Sequence, residues 1–122
     1  MNKPTLAVIV PCFNEELCVK TTVETLLSLL DNLVNNGKIR KDSYLYLVDD
    51  GSKDRTWKII ETLHNNDKRV KAARFIRNFG NQKALIAGLE GVRDLGCDCA
   101  VSIDADLQQD ENAIELFIDE YM

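Results

Sequence analysis

Three short acidic segments carry the side chains in this 122-residue chain that could do chemistry. Asp104-Ala105-Asp106 sets two carboxylates at i and i+2 after an apolar run, so both can point to one side of a strand end. Removing both from water is costly unless a cation or hydrogen-bond donors compensate. A divalent ion meets that need, and an all-oxygen site suits Mg²⁺ or Mn²⁺. Such an ion could bridge to a diphosphate and neutralise it as it departs. The same triplet could instead be a loop that caps the next helix. Asp49-Asp50-Gly51-Ser52 follows a second apolar run. There one aspartate could accept from a nucleobase N–H and the other from the amides of the turn, or the pair could form a simple Asx-turn. Pro11 to Glu16 places Asn14, Glu15 and Glu16 at a helix start, where the helix dipole favours acids. A glutamate there could also bind ribose hydroxyls.

The elements that position these segments alternate strand and helix four times. The apolar pattern predicts strands over residues 6–10, 44–48, 70–76 and 99–103. Asn14 is the expected N-cap of a first helix that buries Val23, Leu26, Leu27, Leu30, Leu33 and Val34 and stops at Asn35-Asn36-Gly37. Asp54 is the expected cap of a second helix with Trp57, Ile60 and Leu63 inward. A third carries Leu85, Leu89, Val92 and Leu95 and ends at Gly96, and a last one starts near Asp110 with Ile114, Phe117, Ile118 and Tyr121 on one face. This order predicts an α/β fold: a Rossmann-like, mostly parallel sheet of about four strands flanked by helices. Ligands of such sheets bind outside the carboxyl ends of the strands, where strand order reverses. All three acidic segments fall there.

Composition bounds the rest. The length is that of one domain, residues 1–122, and 45% hydrophobic with 29% charged residues is ordinary for a soluble globular chain. A net charge of -5 disfavours a nucleic-acid partner. The basic stretch Lys68, Arg69, Lys71, Arg74, Arg77 could line a phosphate site or an interface, or simply flank a short strand. No apolar run approaches the ~20 residues of a membrane span and no signal peptide precedes the first strand, so the expected compartment is cytoplasmic. Cys12, Cys18, Cys97 and Cys99 form no C-x-x-C pair, and the lone His64 cannot complete a usual zinc set, so the cysteines read as packing residues. The apolar stripe of the last helix continues to Met122 without a cap, so a further half is expected beyond it. A homo-oligomer stays open.

In combination the motifs are specific. Val-Pro-Cys-Phe-Asn-Glu-Glu, Val-Asp-Asp-Gly-Ser-Lys-Asp-Arg-Thr, Arg-Asn-Phe-Gly-Asn-Gln and Asp-Ala-Asp-Leu-Gln, in this order, resemble the family-2 glycosyltransferases of GT-A fold. The resemblance is to the dolichol-phosphate mannosyltransferase and bacterial polyprenyl-phosphate glycosyltransferase branch, and it covers residues 4–120. It implies the nucleotide-sugar-binding half of such an enzyme. Pro11, Phe13 and Glu15 match the segment that touches base and ribose, and Asp50 the acid that reads the base. Asp104 and Asp106 match the metal-binding D-x-D, with Asp104 also on the nucleotide side. Gln108 matches the residue beside it that helps hold metal and phosphate. Arg77-Asn78-Phe79-Gly80 matches a segment near the donor.

The implied reaction is metal-assisted, inverting transfer of a sugar from a nucleotide-diphosphate sugar, UDP- rather than GDP-linked. The implied acceptor is a polyprenyl phosphate or a glycan, with the whole protein membrane-associated on the cytoplasmic face. The general base of many relatives lies in the acceptor-binding half, so none is expected here, and the isolated chain is expected to bind donor weakly and transfer poorly. Where relatives continue with prolines after D-x-D, this chain has Gln109-Asp110-Glu111-Asn112. The alternative is a fragment that binds nucleotide without catalysis. A dinucleotide-binding oxidoreductase lacks its G-x-G-x-x-G and a P-loop nucleotidase its Gly-Lys motif. A phospho-receiver domain wants an aspartate after the third strand, where Arg77-Asn78 stand.

Overall fold

The computed structural model describes residues 3–105, 114 and 118–120. The first strand, β1 (Leu6–Cys12), has all seven residues buried, as befits a parallel strand covered on both faces. Its side chains alternate: Leu6, Val8, Val10 and Cys12 enter one core, Ala7 and Ile9 the other. Helix α1 (Val19–Asn35) buries Val19, Val23, Leu26, Leu30 and Leu33, a helical stripe in which each enclosed leucine contributes about 1.5–3 kcal/mol. Past Asn35 the chain turns at Gly37, whose N–H donates to the Val34 carbonyl, and Lys38 N–H reaches Leu33.

Strand β2 (Tyr44–Asp49) follows, then α2 (Thr56–Asn66), β3 (Val70–Arg74), α3 (Asn81–Leu95) and β4 (Cys99–Ser102). The four strands form one sheet in the order β3-β2-β1-β4, and every pairing is parallel. The chain thus steps from β1 to β2 to β3 in one direction and then returns to the far side of β1. The reversal leaves a crevice between the carboxyl ends of β1 and β4. Helices α1 and α2 share one core with the described residues of the last helix, where Ile114 and Ile118 are helical and buried. Helix α3 contributes Val92 to the core on the other face.

Four local expectations are corrected. Asn14 does not cap α1: it takes a left-handed conformation, φ 53°, and the helix begins five residues later. The third strand ends at Arg74 rather than Ile76, because Phe75 N–H is the last to bond across, to the Asp49 carbonyl, and Ile76 is 95% exposed. Helix α3 seats on Ala84, Gly88 and Val92, leaving Leu89 and Leu95 about half exposed. The reason is close approach: a Cβ on Gly88 would lie 2.5 Å from Ile9 Cγ2, so the helix turns its smallest residues to the sheet. The cap position of α2 is Arg55 rather than Asp54; Asp54 sits one residue earlier and accepts the Thr56 N–H on Oδ1 at 2.9 Å. Residues near Asp110, with Phe117 and Tyr121, lie outside the described residues.

Several polar residues away from the crevice have structural partners. Arg69 joins Asp67 and Asp31, and Arg74 lies over the Trp57 ring, so these two members of the basic stretch flank the edge strand β3. His64 Nδ1 meets the Val70 carbonyl at 2.6 Å. Cys12, Cys18, Cys97 and Cys99 form no disulfide among the described residues, and burial pushes the Cys12 thiol far above its ordinary value.

Candidate functional site

At the crevice, three loops are tied into one wall. The turn after β2 is held by Asp49, whose Oδ1 accepts from the Ser52 hydroxyl and, at 3.3 Å, the Ser52 N–H. Ser52 Oγ in turn accepts the Asn14 N–H at 2.8 Å, and Asn14 Oδ1 accepts the Lys53 N–H at 2.9 Å. Glu15 N–H donates to Thr56 Oγ1 at 2.8 Å and Glu16 N–H to Asp54 Oδ2 at 3.3 Å. These bonds explain the left-handed turn at Asn14: asparagine tolerates that conformation and uses its amide to bridge two loops. Asp49 itself is wholly buried, and Oδ2 has no hydrogen-bond partner among the described residues, with Arg74 Nε 3.8 Å away. Burial raises its pKa, against the lowering effect of the Ser52 bonds.

Asp50 binds the third loop. Its Oδ2 accepts from Asn78 Nδ2 and from Gly80 N–H, both at 3.0 Å, and Oδ1 accepts from Phe79 N–H at 2.8 Å. Next to it, Gly51 has φ 71°, and a Cβ there would fall 2.2 Å from the Arg77 carbonyl carbon. Only glycine lets the backbone of Arg77 and Asn78 lie on this turn. Beyond it, Phe79 packs edge-on to Phe75 with centroids 5.4 Å apart, and the Arg77 guanidinium lies 4.5 Å above its ring.

The loops enclose an open cleft of about 390 Å³ at the switch point. Pro11, Phe13, Glu15, Asp50 and Asp104, drawn from three separate segments of sequence, all line it. Asn78, Gly80 and Asn81 add a further wall, and the first two lie in the segment that the resemblance puts near the donor. Glu15 is half-buried, its Oε2 accepting from the Cys18 thiol at 3.1 Å. Asp104 is exposed and takes no hydrogen bond or ion pair from the described residues. A carboxylate facing a cleft without a protein donor suits a hard divalent cation, so the residue present fits such an ion. Asp106 and Gln108 lie outside the described residues, and among the described ones no three acids, histidines or cysteines converge on a metal. Thr22 has no signal in the sequence; its hydroxyl, like those of Ser52 and Thr56 within the second motif, acquires its long-range partner only through the fold.

A parallel α/β sheet with an acid-lined cleft at its switch point is a doubly wound, ligand-binding class of architecture. The model of the glycosyl transferase family 2 matches residues 7–122, and the chain belongs to that family. Among its relatives, the uncharacterized glycosyltransferase YkoT of Bacillus subtilis (strain 168) is 42% identical over 120 residues, covering 98% of this chain and 35% of that protein. The undecaprenyl-phosphate 4-deoxy-4-formamido-L-arabinose transferase of Proteus mirabilis (strain HI4320) is 35% identical over 105 residues, 84% of this chain and 29% of the other. A UDP-N-acetylglucosamine–dolichyl-phosphate N-acetylglucosaminyltransferase of Methanococcus voltae is 35% identical over 112 residues, 82% of this chain and 40% of the other. The chain thus spans about a third of the length of these relatives.

Two solved structures share the fold. S. aureus TarS 1-349 in complex with UDP gives a TM-score of 0.62 at 25% identity, over 95% of this chain and 32% of that one. The Pyrobaculum calidifontis mannosyltransferase PcManGT, in complex with GDP-Man and Mn²⁺, gives 0.59 at 23%, over 87% and 28%. No helix among the described residues is long and apolar enough to cross a membrane.

Proposed function

We propose that this chain is the donor-binding part of a glycosyltransferase that moves a sugar from a UDP-sugar to a polyprenyl phosphate, with inversion at the anomeric carbon. The observation that carries the donor reading is the convergence of Pro11, Phe13, Glu15, Asp50 and Asp104 on one cleft. In this reading Phe13, 41% exposed at the cleft, offers a ring face to the base. Glu15 accepts from ribose hydroxyls, and Asp50 accepts from the base.

Hydrogen-bond accounting favours uracil. A carboxylate has about four acceptor positions. Asp50 spends both of those on Oδ2 and one on Oδ1 within the protein. One position on Oδ1 remains. Uracil offers a single ring N–H between two carbonyls and matches it. Guanine offers N1–H and the adjacent N2 amine, which pair best with both oxygens of a carboxylate, and Oδ2 is already filled.

Asp104, with Asp106 and Gln108, would hold a Mg²⁺ or Mn²⁺ ion on the diphosphate. That ion would supply charge neutralisation for the departing nucleoside diphosphate. The undecaprenyl- and dolichyl-phosphate transferases among the relatives support a polyprenyl-phosphate acceptor. A phosphate oxygen is anionic near neutral pH, so no side chain of this chain is needed as general base. The rest of the protein, with the acceptor half and its membrane attachment, belongs to the same proposal. The test is transfer of label from UDP-sugars and GDP-sugars to undecaprenyl phosphate in mixed micelles. Transfer from a UDP-sugar, abolished by Asp104→Asn, is expected; transfer only from a GDP-sugar, or only to a glycan, would overturn the reading.

A further inference from the structure

Asp104 is held between two anchors. On its amino side, Ile103 N–H donates to the Ile9 carbonyl of β1 at 3.0 Å. On its carboxyl side, the Ala105 carbonyl accepts from the hydroxyl of Thr22 on α1, 83 residues away in sequence. The side chains of Ile103 and Ala105 are both 3% exposed and packed in the α1-side core, whereas Asp104 between them is exposed and lines the cleft.

Thr22 is unusual in this setting. It lies 2% exposed on the buried face of α1, between Val19, Val23 and Leu26. A valine has the same shape and would fill the space. What distinguishes threonine is its hydroxyl, which within a helix commonly bonds the carbonyl one turn back. Here it leaves the helix to hold the turn that carries the acid. A buried hydroxyl is costly unless it is bonded, and the Ala105 carbonyl is its partner.

We infer that Thr22 is a positioning residue for Asp104: by fixing the Ala105 carbonyl on α1, it sets the direction in which Asp104 meets a divalent cation. This rests on the reading of that turn as the metal site.

The test uses purified Thr22→Val, Thr22→Ser and Asp104→Asn proteins with two readouts. Hydrogen exchange of the segment 103–110 reports the hold on the turn, and Mn²⁺ titration followed by electron paramagnetic resonance, with UDP present, reports the acid. Thr22→Val should speed exchange of that segment and weaken Mn²⁺ binding about fivefold, the effect of one lost neutral hydrogen bond. Thr22→Ser, which keeps the hydroxyl, should restore both. Thr22→Val matching the wild type while Asp104→Asn loses Mn²⁺ would overturn the inference alone. Unchanged Mn²⁺ affinity in Asp104→Asn would overturn the metal reading, and with it the role given to Thr22.

Discussion

The Asp50 carboxylate and the Asn78 side-chain amide lie 3.0 Å apart, a bond between loops that leave different strands. Asp50 thereby has two tasks, since it orders the loop of residues 77–80 and faces the cleft which that loop walls. Asn78→Ala removes one of its three donors and leaves the carboxylate in place. Nucleotide affinity should fall about tenfold in calorimetric titration, the lower end of what a hydrogen bond to a charged group contributes. An unchanged affinity would mean that the loop is held well enough by the Phe79 and Gly80 amides.

Gly51 tests the same wall from below. Gly51→Ala places a methyl against the Arg77 backbone and imposes a left-handed conformation on alanine. Urea unfolding should show a loss of about 1–3 kcal/mol, the usual size of a strained backbone site. The variant should also lose nucleotide binding under conditions where it remains folded, because the 77–80 loop must move.

Two aspartates predict opposite responses to acid. Arg69 donates to Asp67 through Nε and Nη2 at 3.2 and 2.9 Å and holds its pKa below the ordinary 3.8. The stability from Asp67 is therefore fully present above that value and is lost as pH falls through the depressed one. Burial instead raises the pKa of Asp49, so its ionisation costs stability as pH rises from 3.8 through the elevated value. Urea midpoints measured across the acid range should show the deficit of Asp67→Asn shrinking as pH falls. The midpoint of Asp49→Asn relative to wild type should rise with pH. Parallel profiles for the two variants would contradict the assignment.

Much of this site is legible in the sequence. Apolar runs ending in Pro-Cys-Phe-Asn-Glu-Glu, Asp-Asp-Gly-Ser and Asp-Ala-Asp imply parallel strands whose acids meet at one edge, and strand periodicity alone leads there. Asn14 misleads because its type suits both a helix cap and a left-handed bridge, and its partner Ser52 is 38 residues away. On α3, Leu89 and Leu95 fit a helical stripe, yet close contact of Gly88 with Ile9 rotates the helix to its small face; apolar periodicity has no term for backbone approach. Thr22 reads as one of several polar residues of an amphipathic helix until the chain leaving β4 brings the Ala105 carbonyl beside it.

A uridine diphosphate held through Asp50, with a metal on Asp104, is the proposed occupant of the cleft. The direct measurement is calorimetric titration of UDP and GDP into the protein, with and without Mn²⁺, for wild type, Asp50→Ala and Asp104→Ala. Mn²⁺-dependent binding of UDP over GDP is expected. Asp50→Ala should weaken it about ten- to a hundredfold, the ~1.5–3 kcal/mol of a charged hydrogen bond, and Asp104→Ala should remove the dependence on Mn²⁺. Equal or tighter binding of GDP, or UDP binding that ignores both substitutions, would contradict it.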